Sequence, residues 1–335
     1  MDSSLFRVPD RLTDVAPWQG HIPFAFWVIS ATKPRLLVEL GTHKGDSYSA
    51  FCQSVSESDL ATTCYAVDSW QGDEHAGLYG EEVFQELNAY NQRKYGGFST
   101  LLRMMFEDAL SYFNDGSIDL LHIDGYHSYE AVREDFEKWL PKMSDRGVIL
   151  LHDVAVRERG FGVWKFWADV AERFPSLELP HSNGLGVLAV GSEVPERLSQ
   201  LIASFKSDPA PITSLFAAVG SRCQLIAEGQ RAKLEFNRLN DEINRMGNEV
   251  TAERDRAEKL TVTVATLSEQ ISIRDELVHA QELRIEQLIE SSGQNGPESD
   301  FESLKALIRR RVVSSKLLAP ARPILTSVRE LTSRR

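Results

Sequence analysis

Ile118-Asp-Leu-Leu-His-Ile-Asp-Gly-Tyr-His127 and Gly147-Val-Ile-Leu-Leu-His-Asp-Val154 are two apolar runs of strand length. Each stops at ionisable side chains: Asp124 and His127 after the first, His152 and Asp153 after the second. Short apolar runs bounded by turn residues read as buried parallel strands. Between them, Ser128 to Leu140 spaces Tyr129, Val132, Phe136, Trp139 and Leu140 at helical intervals, and Pro141 and Gly147 close the segment. The unit is strand, helix, strand. In an open parallel sheet, ligands gather outside the carboxyl ends of the strands. Two strands that end in carboxylate and imidazole therefore deliver those groups to one crevice.

Moving outward, Arg35-Leu-Leu-Val-Glu-Leu40 predicts a strand that runs through Gly41-Thr-His-Lys-Gly45 into a helix over Tyr48 to Val55. A glycine-bearing turn of this kind lets backbone approach a ligand, and the helix N-terminus favours the ligand's polar or anionic part. The spacing is not the three-glycine dinucleotide pattern. The next strand, Cys64 to Asp68, ends in an acid placed to meet ribose hydroxyls, or equally to cap a helix or stand at an exposed strand end. The loop Ser69 to Gly80 is rich in Trp, His, Asp and Gly, a composition suited to lining a site. Glu81 to Tyr95 reads as a helix and Ser99 to Met104 as a strand. Glu107 and Asp108 then open a short helix, where they serve the helix dipole or an adenosine. A helix over Gly162 to Phe174 and an antiparallel hairpin turning at Asn183-Gly184 complete the domain.

The formal charge of -12 argues against a general nucleic-acid partner. Cys52, Cys64 and Cys223 lack metal-ligand spacing, which fits a reducing compartment. Neither a signal peptide nor an apolar window of membrane-spanning length is expected. The chain divides into an N-terminal cap (1–34), the sheet domain (35–191) and a connecting region (192–221) in which Asp-Pro-Ala-Pro should interrupt helix. A coiled coil (222–290), a Ser/Gly/Asn/Pro linker (291–300) and a basic amphipathic tail (301–335) follow. The coiled-coil register places Phe236, Ile243, Val250, Ala257, Val264, Ile271, Val278 and Ile285 at a. Leu239, Met246, Glu253, Leu260, Leu267, Arg274, Gln281 and Leu288 fall at d. β-branched residues at a with Leu at d favour two parallel strands, hence a homodimer.

Taken together, Glu39-Leu-Gly-Thr-His-Lys-Gly45, Val67-Asp68, Ile123-Asp-Gly-Tyr-His127 and Leu150-Leu-His-Asp153 resemble the class I S-adenosylmethionine-dependent methyltransferases, methyltransferase family 24 type. The resemblance implies an α/β, Rossmann-like seven-stranded sheet with an antiparallel last hairpin, ahead of the long helical coiled coil. It implies that Gly41, Thr42 and Gly45 pass beneath the methionine part of the cofactor, with Glu39 near its amino group. Asp68 and Ser69 would meet the ribose, Glu107 the adenosine, and Asp124 the cofactor's reacting end. His127 would be the base, with His152 as a second candidate. Asp124 and Asp153 would hold a magnesium-like ion, although His152 stands where metal-dependent relatives carry an acid.

The implied reaction is O-methylation of a sugar, glycan or related hydroxyl in bacterial polysaccharide or natural-product biosynthesis. A hydroxyl gives up its proton reluctantly, which is why a base or a hard cation suits the site. The basic tail suggests a peripheral position at the inner membrane face, or a glycosyltransferase partner, for an otherwise cytoplasmic protein. Two rivals stand beside this reading. One is an iron hydroxylase with a facial triad, which the alternation of strands and helices disfavours; the other is a non-catalytic scaffold organised by the coiled coil.

Overall fold

The computed structural model describes residues 3–73, 77–158, 160–292, 302 and 306. The first compact unit carries the sheet. After a short 3-10 turn at Ser3–Phe6, helix α1 (Ile22–Thr32) is buried along nearly its whole length. It leads to strand β1 (Leu36–Leu40), helix α2 (Asp46–Glu57) and strand β2 (Thr63–Asp68). A two-residue ladder, β3 (Gly72–Asp73) with β4 (Gly77–Leu78), precedes helix α3 (Glu81–Tyr95), strand β5 (Ser99–Arg103) and the single-turn helix α4 (Phe106–Ala109). Next come β6 (Ile118–Ile123), α5 (Tyr129–Trp139), β7 (Met143–His152), α6 (Val163–Val170), β8 (Ser176–Leu179) and β9 (Leu185–Ala189). Helices α7 (Glu196–Ser207) and α8 (Pro209–Ser292) complete the described chain.

The sheet order is β5-β2-β1-β6-β7-β9-β8. All pairings are parallel except the two made by β9, so the seven-stranded sheet with a reversed last hairpin is present as expected. Alternate residues of a strand face opposite sides, and the apolar runs serve both faces. Leu120, Val148 and Leu150 pack with α1, α2 and α7, whereas Leu121, Ile149 and Leu151 pack with Val132, Phe136 and Trp139 of α5 and Phe166 of α6. That double burial explains why β6 and β7 read as unbroken apolar runs. Ser128 caps α5 by accepting from the Ala131 N–H at 3.2 Å.

Contacts divide the chain after Leu239, beyond the Gly191 boundary expected from sequence. The helix breaks at Asp208, where α7 ends, as Asp-Pro-Ala-Pro predicts, and Pro209 and Pro211 occupy the first turn of α8, where no intrahelical N–H is required. The first turns of α8 then bury Phe216, Val219, Cys223 and Ala227 against the sheet unit. The second unit begins at Asn240. Most of the linker and the basic tail lie outside the described residues.

Candidate active site

The carboxyl ends of β1, β2, β6 and β7 converge. Gly41 leaves β1 with φ +84°, and a Cβ there would lie 2.1 Å from the Asp124 carbonyl oxygen at the end of β6. The Asp124 N–H donates to the Leu40 carbonyl at 2.8 Å, so the two strand tips meet backbone against backbone. Gly45, at φ +79°, sits just before α2 and is packed against Leu87. Only glycine takes both turns without strain.

Asp68, at the tip of β2, clamps this loop. One carboxylate oxygen accepts from the Thr42 and His43 N–H groups at 2.8 and 2.9 Å, and the other accepts from Trp70 N–H at 2.7 Å. A carboxylate has about four acceptor positions, so three are already engaged. Its first task is therefore to shape the glycine turn. The Thr42 hydroxyl is buried with no hydrogen-bond partner among the described residues, leaving a polar group available to a ligand at that turn.

A cleft of about 190 Å³ opens beside the loop, between Gly41, Asp68 and Ser69 on one side and Asp124, Gly125, Tyr126 and His127 on the other. Met104, Met105 and Phe106 form an apolar wall, and Tyr79, stacked on His43 at 4.6 Å, closes one edge. Backbone cradle, carboxylate and apolar wall suit a nucleoside carrying a polar arm, which is what S-adenosylmethionine presents. Sequence reading had not singled out the wall or the Tyr79 stack. Apolar residues following a strand look the same whether they line a core or a cleft.

At the inner end of the cleft lie two carboxylates and two imidazoles. His127 Nε2 is 2.8 Å from Asp153 Oδ2 and 3.7 Å from Asp124 Oδ1, with its ring stacked on Phe161 at 4.4 Å. His152 Nδ1 is 3.1 Å from Asp124 Oδ1, and its Nε2 donates to the Ser182 carbonyl at 3.3 Å. Asp153 has φ +61°, a rare left-handed conformation for a residue other than glycine. Burial opposes the imidazolium of His127, but hydrogen bonds to Asp124 and Asp153 push its pKa up to about 10. Burial likewise opposes charge on His152, and Asp153 and Asp124 push it up to about 9. Burial would raise the Asp124 carboxyl, yet His152 and His127 hold it well below the ordinary range. Asp153 is lowered in the same way. The four groups form two neutralised ion pairs.

The two carboxylates thus favour the imidazolium of His127, whereas the expected role as base calls for the neutral ring. For a metal, one ligand atom from each of Asp124, His152 and Asp153 lies within 4.8 Å of the others. Magnesium demands an oxygen shell, and here the third donor is an imidazole whose two nitrogens both face hydrogen-bond acceptors. These residues do not fit magnesium.

Two residues expected at the cofactor do not line the cleft. Glu39 is fully buried, with Oε2 2.8 Å from His122 Nδ1 and Oε1 without a hydrogen-bond partner among the described residues. The Trp18 indole donates to His122 Nε2 at 3.1 Å, so the imidazole proton must sit on Nδ1 and be donated to Glu39. Glu107 is exposed and paired with Lys138 at 3.0 Å, because α4 points it away from the cleft. Its neighbour Phe106 supplies the wall instead.

Residues 38–154 match the model of a family described as a methyltransferase domain. The strand order is the one implied by the resemblance of residues 38–154 to class I S-adenosylmethionine-dependent methyltransferases. The chain is 54% identical over 184 residues, 55% of its length, to the uncharacterized protein y4gI of Sinorhizobium fredii (strain NBRC 101917 / NGR234). It spans 20% of that relative. Among solved structures it is similar to a Podospora anserina methyltransferase bound to SAH, at 16% identity and TM-score 0.39 over 50% of this chain and 76% of that one. It is also similar to the Streptomyces achromogenes O-methyltransferase TomG in complex with SAM, at 16% identity and TM-score 0.40 over 57% and 91%.

Proposed function

We propose that the sheet domain transfers the methyl group of S-adenosylmethionine to a hydroxyl of a sugar or related glycan. The observation that carries this reading is the joint placement of the glycine turn, Asp68 and the Asp124 and His127 pair around one cleft. Bound there, the cofactor supplies an electrophilic methyl on a sulfonium, so the protein's task is alignment and removal of one proton. The acceptor oxygen becomes strongly acidic as it gains the methyl carbon. An ionised carboxylate is then a sufficient proton acceptor, and Asp124, on the cleft wall and held ionised, takes that part. His127, a donor between Asp124 and Asp153, fixes the two carboxylates so that Asp124 faces the acceptor hydroxyl. No step is routed through a metal.

The saccharide assignment rests on the resemblance to sugar-tailoring methyltransferases and on Tyr79, whose ring lines the cleft; Trp70 of the same loop is buried against Phe84 and offers no face to a sugar. The basic residues of 301–335 suit an anionic membrane surface where such glycans are assembled. A radiolabelled methyl-transfer assay over a glycan panel tests the reading: turnover on at least one acceptor, lost in Asp124→Asn, is expected. Failure of the intact chain to bind S-adenosylmethionine would leave the scaffold reading in its place.

A further inference from the structure

We propose that α8 beyond residue 240 pairs with the same helix of a second copy of the chain running in the opposite direction. Its seam from 243 to 281 carries Ile243, Val250, Ala257, Val264, Ile271 and Val278 at a, with Met246, Glu253, Leu260, Leu267, Arg274 and Gln281 at d. The large apolar members stand open to solvent: Ile243 is 62% exposed, Val250 68%, Leu260 65% and Leu267 51%. A lone helix of this length gains nothing from a seven-residue apolar repeat, whereas a partner helix buries it.

The charged seam residues decide direction. In a parallel, in-register pair each d residue meets its own copy, placing Glu253 against Glu253, Arg274 against Arg274 and Gln281 against Gln281. Glu253 already has a counter-ion, Arg256, 2.6 Å away on its own helix. Arg274 has no acid three or four residues away on either side, where Gln270, Ile271, Leu277 and Val278 stand. Two arginines facing each other in an apolar seam carry an uncompensated desolvation cost. That cost outweighs the shape preference of β-branched a residues for parallel pairing.

Reversing one helix changes the layers, because a then packs against d. A register centred on residue 262 mates 243 with 281, 246 with 278, 250 with 274, 253 with 271, 257 with 267 and 260 with 264. All twelve seam positions find a partner. Glu253 then lies one layer from the partner's Arg274, and the arrangement occurs twice by symmetry. Outside the seam, Glu242 and Arg284 both occupy g, and the same register brings Glu242 to the partner's Arg284. A shift by one heptad that mates 257 with the partner's 274 also keeps Glu253 one layer from that arginine, so direction does not depend on the choice between these two registers.

Spin labels on full-length Asn248→Cys and Val262→Cys test the direction, since Cys52, Cys64 and Cys223 are buried. With a rise of about 1.5 Å per residue, antiparallel pairing separates the two Asn248→Cys labels by about 40–50 Å along the axis. It brings the Val262→Cys labels within about 20 Å of each other across packed helices. Short distances at both sites, or a monomer in sedimentation equilibrium, would overturn the proposal. As an independent check, Arg274→Glu should weaken association at least tenfold, and Glu253→Arg combined with Arg274→Glu should restore it. A double variant no tighter than the single, with helicity intact by circular dichroism, would also overturn it.

Discussion

Replacing Gly41 by alanine tests the contact between the tips of β1 and β6. The new Cβ would sit 2.1 Å from the Asp124 carbonyl oxygen and 2.6 Å from its carbon, both backbone atoms that no rotamer change can clear. Reaching even a tight carbon-oxygen contact requires the tips to part by about 1 Å, since non-bonded atoms prefer about 3.5 Å or more. That movement strains the 2.8 Å bond from Asp124 N–H to the Leu40 carbonyl, worth about 1 kcal/mol. The left-handed backbone at φ +84° adds about 1–2 kcal/mol for a residue with a Cβ. A total of about 2–3 kcal/mol corresponds to roughly a hundredfold if it falls on cofactor binding. Gly116→Ala is the matched control, with φ +69° and nothing within 4 Å of its added Cβ. Urea unfolding and calorimetric titration with S-adenosylmethionine, run on both variants, should show Gly116→Ala losing about 1 kcal/mol of stability and no affinity. Wild-type affinity in Gly41→Ala would refute the placement of the cofactor over this turn.

Asp68→Asn replaces a carboxylate serving three N–H groups with an amide that turns its NH2 toward one side of them. Cofactor affinity should fall at least tenfold by titration, at about 1–3 kcal/mol for each stranded donor. Glu107→Gln should leave the affinity unchanged in the same experiment, because Glu107 faces Lys138 and solvent. The His127 pKa near 10 lies above its unfolded value of 6.5, so its contribution to stability is complete below about pH 6.5 and is lost as pH rises through 10. Measured by chemical denaturation, the stability gap between wild type and His127→Gln should narrow by a few kcal/mol between pH 6.5 and 10; a constant gap would contradict the ion pair. Phe136→Ala, fully buried between α5 and the sheet, should cost about 3–5 kcal/mol in unfolding experiments without moving the cleft.

The parallel strands were legible because residues buried on both faces leave continuous apolar runs, and the chemistry begins where those runs stop, at Asp68, Asp124, His127, His152 and Asp153. The cleft's apolar wall was not legible. Met104, Met105 and Phe106 follow a strand as core residues do, and only the fold shows which side of the sheet they face. Glu39 and Glu107 show the opposite difficulty, since an acid at a strand end or helix start suggests a ligand whether it is buried against His122 or exposed beside Lys138. Ser182 was invisible for another reason: its backbone carbonyl, not its side chain, receives His21 and His152, and it reaches them through the hairpin turn. Asp-Pro-Ala-Pro does break the helix at Asp208, but the burial of Phe216 and Val219 just beyond it was not legible, because apolar residues on a helix look alike until their partner is known.

The most direct measurement of the central claim is a crystal structure of the full chain soaked with S-adenosylmethionine or a stable sulfonium analogue. The cofactor should lie over Gly41 with its ribose at Asp68, its adenine against Met104 and Phe106, and its methyl directed at Asp124 and His127. Density for the cofactor outside this cleft, or a methyl pointing away from that pair, would contradict the account.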